Sequence, residues 1–237
     1  MNLLHLNHSR YLDNQSFLQL IGASDICILS DFLLNPKIVD AFWDRYYARG
    51  VPRIVVCGIN PGRFGAGKTG IPFLDFASLS QLMPGVDRQD SEKSAAFFCK
   101  VIQSYGSEAF FRDFYVTNVA SVGFLRDGRN LNYHDLPAAA LATVEANFCE
   151  EMKMVNPTQV ISLGTAVQHT ARKLLSPDID CSLRLPHPAW VATYRSRETE
   201  QWVSDYVEAL KSAAASQPPY QSPNKSLPQA GEVAFKC

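Results

Sequence analysis

The feature that most constrains the fold is a short apolar run at residues 54–57, which a loop dense in glycine and proline follows directly. The run is rich in β-branched residues and comes after Pro52, a pattern typical of a strand buried on both faces of a parallel sheet. Ligands of open α/β sheets bind beyond the carboxyl ends of such strands. The sequence therefore places a candidate functional loop at residues 58–76.

Other apolar segments alternate between the strand period and the helix period. Further strands are predicted at residues 110–119, with 114–119 as the central part, and at 159–164 and 181–185. Helical spacing predicts helices over residues 35–50, 92–105, 166–175 and 199–210, with another after Pro137 that Asp135 caps, while Thr165 caps the one at 166. The segment 17–30 predicts an N-terminal helix and loop. Strands that alternate with helices indicate a three-layer α/β/α fold with a central four-stranded parallel sheet.

Length and composition indicate one domain with a tail. A chain of 237 residues can bury roughly 70% of its unfolded surface, and we expect a single domain over residues 1–211. From residue 212 the composition shifts to alanine, serine, proline and glutamine, which predicts a flexible C-terminal tail over 212–237. The formal net charge is −1, so any attraction to nucleic acid must come from a local patch.

The sequence indicates neither a membrane segment nor a cofactor. No apolar run is long enough to span a bilayer, and the first nine residues lack the features of a signal peptide, so we expect a cytoplasmic protein. The six cysteines form no C-x-x-C and no Cys/His pair at metal spacing, so we expect no metal or other cofactor. Cys57, Cys99 and Cys149 fall within apolar patterns and are predicted to be small core residues.

The loop after the first strand admits a phosphate-loop interpretation. Residues 62–69 read G-R-F-G-A-G-K-T and satisfy the pattern G-x-x-x-x-G-K-[ST]. In a phosphate loop the Lys-Thr pair opens a helix whose N-terminal amides bind the phosphates. Here Gly70, Ile71 and Pro72 follow Thr69 and disfavour a helix. A nucleotide hydrolase is therefore an alternative that the flanking residues disfavour.

Taken whole, the same loop resembles the first motif of the uracil-DNA glycosylase superfamily. Residues 58–62 read G-I-N-P-G, Phe64 and Gly65 follow, and residues 69–73 read T-G-I-P-F. The single-strand-selective monofunctional branch carries G-M-N-P-G-x-F-G, a three-residue gap and T-G-V-P-F. Three more features occur in family order: Asn118 near the end of a predicted strand, G-R-N-L at 128–131, and His187-Pro188 after the last strand. The resemblance spans roughly residues 35–210.

This resemblance implies a monofunctional DNA glycosylase that excises uracil, or another deaminated or 5-substituted base, in base excision repair. It implies that His187 stabilises the departing base anion, with a donor of this kind worth about 3–4 kcal/mol, and that Asn60 positions the attacking water. The Asn118 amide would form hydrogen bonds with uracil but would be left unpaired against cytosine, and Phe73 would stack on the extruded base. Where the branch that best excludes thymine has a bulky aromatic beside base C5, this chain has Gly62, which leaves room there.

The chain departs from the family after His187-Pro188, where Ala189-Trp190-Val191 stands in place of Ser-Pro-Arg. Relatives insert this stretch into the duplex, so we expect Trp190 or Tyr194 to fill the vacated stack. Arg195 and Arg197 would then hold phosphates beside it. The alternative is that Trp190 packs the final helix onto the core.

Structural alternatives exist for other candidates as well. Asn118 can be a hydrogen-bonded core amide, and a histidine after a strand is commonly a capping or surface residue. The expected partner is DNA, single- or double-stranded, with no membrane association, and the protein is expected to be a monomer. Besides the nucleotide hydrolase, the alternative function is a catalytically weak module of the same fold that binds damaged bases.

Overall fold

The computed structural model describes residues 2–216, and strand β2 (Ile54–Gly58) forms its centre. β2 is buried along its whole length and pairs in parallel with β3 (Phe114–Asn118) and with β6 (Gln159–Leu163). The short β7 (Arg184–Leu185) pairs in parallel with β6, which gives the strand order β3-β2-β6-β7. Every residue of β2, β3 and β6 is buried, as expected for a parallel sheet covered on both faces.

Helices cover the sheet and give the predicted three-layer α/β/α arrangement with four parallel strands. The helices are α1 (Leu3–Leu12), α2 (Gln15–Gly22), α3 (Pro36–Tyr46), α4 (Ala66–Thr69), α5 (Phe76–Leu82), α6 (Lys93–Tyr105), α7 (Ser107–Asp113), α8 (Ala138–Val155), α9 (Thr165–Leu174), α10 (Pro188–Tyr194) and α11 (Thr199–Ala215). α6 packs against α10 and α11, so the segment that follows β7 is fixed to the body of the protein.

A small antiparallel sheet, which the sequence analysis did not predict, joins three short strands. They are β1 (Ile26–Ile28), β4 (Phe124–Arg126) and β5 (Arg129–Leu131), in the order β1-β4-β5. Strands of three residues are too short to show a period in the sequence. The hairpin β4–β5 matters for the site because it carries most of the G-R-N-L segment.

Several predicted boundaries were wrong. The predicted strand over 110–119 is a helix up to Asp113, and α7 buries both Phe110 and Phe111. The predicted strand over 181–185 is reduced to Arg184–Leu185. An adjacent pair of apolar residues is compatible with either period, so the local pattern could not separate helix from strand at this point.

Two predicted helix caps were also wrong. Gly164 and Pro137 occupy the N-cap positions of α9 and α8, and neither helix has a side-chain cap. The Thr165 hydroxyl instead accepts a hydrogen bond from Arg184 of β7 (2.9 Å). Asp135 ends a short 3-10 turn that precedes Pro137.

The two ends of the chain also differ from prediction. α1 was not anticipated, and α11 continues to Ala215, so residues 212–215 of the predicted tail are helical. Residues 217–237 of that predicted tail lie outside the described residues. Within residues 2–216, no helix is both long and apolar enough to cross a membrane. Cys57, Cys99 and Cys149 are buried in the core, as predicted.

Candidate active site

The candidate site lies at the carboxyl end of β2, where Gly58 pairs with Asn118 of β3. A Cβ atom on Gly58 would lie 2.5 Å from Asn118 Oδ1 and would overlap the ring of Phe73. Only glycine fits between these two side chains, because any other residue would push them apart. The structure therefore brings together the side chains of Asn118 and Phe73, which are far apart in the sequence, beside Gly58 at the end of β2.

Asn118 presents an amide that the protein itself leaves unpaired. The residue is 3% exposed, and its side chain forms no hydrogen bond with any residue from 2 to 216. The structural alternative, a core amide satisfied by its neighbours, is therefore not what the fold shows. Its amide atoms are not among the solvent-excluded unpaired atoms of residues 2–216, so they remain accessible and are suited to a ligand that supplies their partners.

Phe73 has a backbone φ of 62°, in the left-handed region, which costs a residue with a Cβ roughly 1–2 kcal/mol. The buried Thr69 hydroxyl supports this segment, since it donates to the carbonyl of Leu74 (2.7 Å) and accepts from the N–H of Ile71 (3.2 Å). The Phe73 ring centroid lies 4.8 Å from that of Phe98 and 6.1 Å from that of His187. Strain of this kind is typical of ligand sites.

The same contacts do not fit a phosphate loop. α4 is a single turn that ends at Gly70, whose φ is 73°, so no long helix N-terminus faces the loop. The Thr69 hydroxyl is fully buried and donates to a carbonyl, and therefore cannot ligate Mg²⁺. Lys68 lies 3.5 Å from the carboxylate of Asp90. The sequence match to the phosphate-loop pattern is a coincidence of spacing.

Asn60 is held in one orientation by the backbone of the G-R-N-L segment and the residues after it. Its Oδ1 accepts from the N–H of Tyr133 (3.0 Å), and its Nδ2 donates to the carbonyls of Leu131 (3.2 Å) and Pro61 (3.4 Å). An amide oxygen has two lone pairs, so Oδ1 can accept one further hydrogen bond. A water molecule that donates to Oδ1 would therefore be held in a fixed position.

His187 caps α10 and is fixed in one tautomer. Its Nδ1 accepts from the N–H of Ala189 (3.2 Å), and burial lowers its pKa to about 4. The ring is consequently neutral at pH 7, and its proton resides on Nε2, which acts as a donor. Capping and ligand binding are compatible here, because they use opposite nitrogens. The hydroxyl of Tyr206 on α11 donates to the carbonyl of Pro186 and holds the adjoining backbone.

Gly62 faces a residue that the sequence analysis did not identify. A Cβ at Gly62 would lie 3.2 Å from Oε1 of Glu92 and 3.6 Å from Nδ2 of Asn130. Glu92 precedes α6 and is half-buried. No local pattern marked it, because its approach to the loop depends on how α6 packs.

The four residues proposed for DNA contact lie on α10 and just beyond it. Trp190 is 40% exposed and packs edge-on against Trp202 of α11, with 5.9 Å between ring centroids, while Tyr194 is 71% exposed. The guanidinium of Arg195 lies 5.4 Å from the centre of the Trp190 ring and 3.6 Å from Glu198. Arg197 is exposed. Trp190 thus contacts the final helix while much of its side chain remains exposed.

In the part of the chain that the structure describes, no three His, Cys, Asp or Glu side chains form a group that could hold a metal ion. The polar groups that converge on the end of β2 are instead two amides and a neutral imidazole. They can donate and accept hydrogen bonds, and they carry no net charge. Such a site is suited to a neutral heterocycle with alternating donors and acceptors.

Comparison with known proteins places this arrangement in a family. A family model described as the uracil DNA glycosylase superfamily matches residues 45–211. The single-strand selective monofunctional uracil-DNA glycosylase of Rattus norvegicus is 29% identical over 175 residues, which are 61% of this chain. That match spans 62% of the rat relative, so this chain covers less than two thirds of its length. The corresponding Mus musculus protein is 26% identical over 211 residues, 71% of this chain and 75% of that one.

A solved structure shows the same fold. The crystal structure of wild-type SMUG2 from Pedobacter heparinus aligns with a TM-score of 0.69 and 27% identity. The alignment covers 81% of this chain and 90% of that one. Because the family match extends over well more than half of the sequence and includes Asn60, Phe73, Asn118 and His187, this chain belongs to the uracil-DNA glycosylase superfamily.

Proposed function

We propose that this protein is a monofunctional DNA glycosylase that extrudes uracil, or a related base, from DNA and hydrolyses its N-glycosidic bond. One observation carries the proposal: Phe73 and Asn118 meet around Gly58 at the end of β2, two residues before Asn60, and the ring of His187 lies 6.1 Å from that of Phe73. The product would be an abasic site, and the process served would be base excision repair. The partner is DNA.

His187 supports the departure of the base. Cleavage of the N-glycosidic bond leaves negative charge on the pyrimidine and positive charge on the sugar. The Nε2–H of neutral His187 donates to O2 of the base as this charge develops, and one such donor is worth about 3–4 kcal/mol in comparable sites. The bond from Ala189 to Nδ1 keeps the proton on the nitrogen that faces the base.

Asn118 and Phe73 select the base and hold it. The unpaired amide of Asn118 accepts from N3–H of uracil and donates to O4. Cytosine presents the opposite donor and acceptor pattern, and a site built to pair polar groups discriminates strongly against a base that leaves them unpaired. The face of Phe73 stacks on the extruded base, which is worth about 1–3 kcal/mol for base–aromatic contacts in general.

Asn60 positions the water that attacks the sugar. An amide is too weak a base to deprotonate water, which suits a dissociative reaction in which the sugar cation forms before the water attacks. The mechanism uses no lysine nucleophile, so the DNA strand remains intact. Tyr194 or Trp190 fills the space that the extruded base leaves, and Arg195 and Arg197 contact phosphates beside it.

The experiment that tests this function measures uracil release under single-turnover conditions. Labelled oligonucleotides with one uracil, single-stranded and paired with guanine or adenine, are incubated with the wild type, Asn60→Ala and His187→Ala. We expect release by the wild type and a loss of about 100- to 1,000-fold or more in each variant. His169→Ala, which replaces an exposed histidine on α9, is the matched control.

Three results would count against the proposal. Near-wild-type rates in both variants would show that the site is wrongly assigned. Tight binding of uracil-containing DNA without any release would favour the alternative, a module of this fold that binds damaged bases. Borohydride should trap no covalent adduct with DNA, since a trapped adduct would reveal a lysine nucleophile.

A further inference from the structure

The turn of the β4–β5 hairpin places two arginines directly opposite each other. Asp127 and Gly128 form this turn with backbone φ angles of 51° and 68°, and positive φ at both central residues is typical of a type I′ hairpin turn. The turn fixes the register in which Arg126 pairs with Arg129. The Cβ atoms of such a pair lie about 4.5–5.5 Å apart, so both guanidinium groups extend from one face of the hairpin.

The protein leaves both of these positive charges unbalanced. Arg126 and Arg129 are exposed, and neither side chain forms a hydrogen bond or an ion pair with any residue from 2 to 216. Asp127 lies between them in the sequence but forms no ion pair with either. Like charges directly opposite each other destabilise a pair of strands. The hairpin therefore keeps a repulsive pair that a bound anion would neutralise.

Hydrogen bonds fix the hairpin to the loop that carries Asn60. The backbone N–H of Arg63 donates to Asn130 Oδ1 (3.1 Å), and the Arg63 guanidinium donates to a carbonyl of the turn. The carbonyl of Leu131 accepts from Asn60 Nδ2 (3.2 Å). Leu131 is two residues beyond Arg129, which is about 7 Å along a strand. An anion bound by the arginine pair would therefore lie near the reaction centre.

The surface beside the arginine pair is concave and open, and it lies across the site from α10. Residues of the hairpin line a depression of about 450 Å³; they are Arg126, Asp127, Arg129, Asn130 and Leu131. The hairpin follows β3 at one edge of the parallel sheet, and α10 follows β7 at the other edge. β2 and its loop lie between them. A DNA strand that crosses the end of β2 from α10 would thus reach the arginine pair.

We propose that Arg126 and Arg129 together bind one backbone phosphate of the DNA strand that carries the extruded base. The inference rests on the proposed function, which makes DNA the partner. Guanidinium groups suit this contact because their planar donors match the oxygens of a phosphate, and a phosphate between two opposed arginines removes their repulsion. A contact to the backbone positions the strand without reading its sequence. The contact needs only one strand, so it serves single-stranded and duplex DNA alike.

The test measures DNA binding separately from uracil release. Fluorescence anisotropy gives the Kd of labelled single strands and duplexes without uracil for the wild type and for the double variant Arg126→Gln/Arg129→Gln. At about 0.1 M salt we expect Kd to rise about 5- to 10-fold on both, and the slope of log Kd against log salt on single strands to fall by about 0.7, as for one lost phosphate contact. The control Arg45→Gln/Arg53→Gln removes two charges from residues that precede β2 and should change neither quantity. An unchanged Kd and slope in the hairpin variant would overturn the proposal.

A methylphosphonate, which is an uncharged replacement for a phosphate, locates the contact. One 2′-fluoro-2′-deoxyuridine, whose N-glycosidic bond resists hydrolysis, fixes the register of the DNA on the protein, and each neighbouring linkage is replaced in turn. The wild type should lose affinity about 5- to 10-fold at one linkage to which the double variant is insensitive. Equal sensitivity of the two proteins at every linkage would contradict a direct contact.

Thermal melts without DNA separate this role from a structural one. Arg126→Gln removes a repulsion between like charges, so the Tm of the free protein should not fall. A lower Tm with unchanged DNA affinity would show that the arginine only supports the hairpin. If the wild type releases uracil and the hairpin variant keeps its DNA affinity and salt slope, only this inference is wrong. If the hairpin variant loses DNA affinity as expected but the wild type releases no uracil, the proposed function fails and the phosphate contact stands.

Discussion

The polar side chains at the end of β2 differ in how much of their hydrogen-bonding capacity the protein uses. His187 and Asn60 each bind backbone groups on one side and keep one group available, Nε2–H and a lone pair of Oδ1 respectively. Asn118 uses none of its side-chain capacity within residues 2–216. The first two side chains are thus oriented by the protein for catalysis. Asn118 gains its hydrogen bonds only from a bound base, and this dependence allows it to select the base.

The protonation state of His187 gives the first prediction. Because burial lowers its pKa to about 4, the ring should remain neutral from pH 8 down to about pH 5, with the proton on Nε2. Long-range ¹H–¹⁵N NMR spectra of the free protein at pH 7 should show this tautomer, and His187→Ala identifies the signal. A titration of this signal near pH 6.5 would contradict the assignment.

Asn118→Asp gives the second prediction. A carboxylate accepts from N3–H of uracil but cannot donate to O4, so uracil excision should fall by about 10- to 100-fold at pH 7. Selection against cytosine should weaken as well. Asn35→Asp, at the start of α3 where the side chain makes no capping bond, is the control. Wild-type excision of uracil by Asn118→Asp, with cytosine still rejected, would show that another residue selects the base.

At the scale of elements, the sequence predicts what depends on local burial and misses what depends on distant pairing. β2, β3 and β6 are buried along all five of their residues, and the pattern indicated each of them, although the prediction over 110–119 began four residues too early. The strands β1, β4 and β5 have three residues each and gain stability only by pairing with one another. No local signal predicts that pairing. The G-R-N-L segment, whose backbone holds Asn60, was therefore recognised as a sequence motif but not as part of a strand.

The residues of the candidate site likewise include some that the sequence identified and some that it missed. Asn60, Asn118 and His187 were identified because they follow predicted strands, whose carboxyl ends lie at one edge of a parallel sheet, and Phe73 was identified through the resemblance of the loop to the family's first motif. Glu92 was missed because its contact with Gly62 depends on the packing of α6 and on the Asp75 carboxylate. α10 was missed because Pro188 reads as the end of a strand, although proline suits the first turn of a helix.

α10 carries the third prediction, which separates its two exposed aromatics. Tyr194 is 71% exposed, so Tyr194→Ala should change thermal stability little and should slow excision from U·A duplexes more than from single strands. Trp190 packs on Trp202, so Trp190→Ala should lower the melting temperature by several degrees. Excision rates on both substrates and thermal melts of both variants check this. Equal losses on the two substrates in Tyr194→Ala would exclude it as the wedge.

At the scale of the whole molecule, the fold contains a buried acidic group that the proposed reaction does not use. Glu151 of α8 is 3% exposed and accepts from the Tyr115 hydroxyl of β3 (2.9 Å). Desolvation raises its pKa to about 7, against the favourable effects of its hydrogen bonds and of Arg10 on α1. The stability of the fold should therefore depend on pH through Glu151 as well as through its histidines.

The histidines oppose Glu151 in the same pH range. Burial lowers the pKa of His8 to about 3 and that of His187 to about 4, so the unfolded chain binds protons below pH 6.5 that the folded protein does not. Their contribution to stability is lost as pH falls. Glu151 has the opposite sign, because its pKa is raised: folding is opposed as pH rises from about 4.5 through 7, where the unfolded chain ionises first. A simple pH–stability curve of the wild type cannot separate these effects.

Glu151→Gln isolates the contribution of this carboxyl group to the pH dependence of stability and gives the last prediction. Glutamine keeps the hydrogen bond to Tyr115 but cannot ionise, so its free energy of unfolding relative to wild type should rise by about 3 kcal/mol between pH 4.5 and pH 8. Urea unfolding of both proteins across this range measures the difference, in which the histidine terms cancel. Glu150→Gln, which removes an exposed carboxyl one residue earlier on α8, is the matched control. A difference for Glu151→Gln that stays constant with pH would mean that this buried carboxyl ionises no less readily in the folded protein than in the unfolded chain.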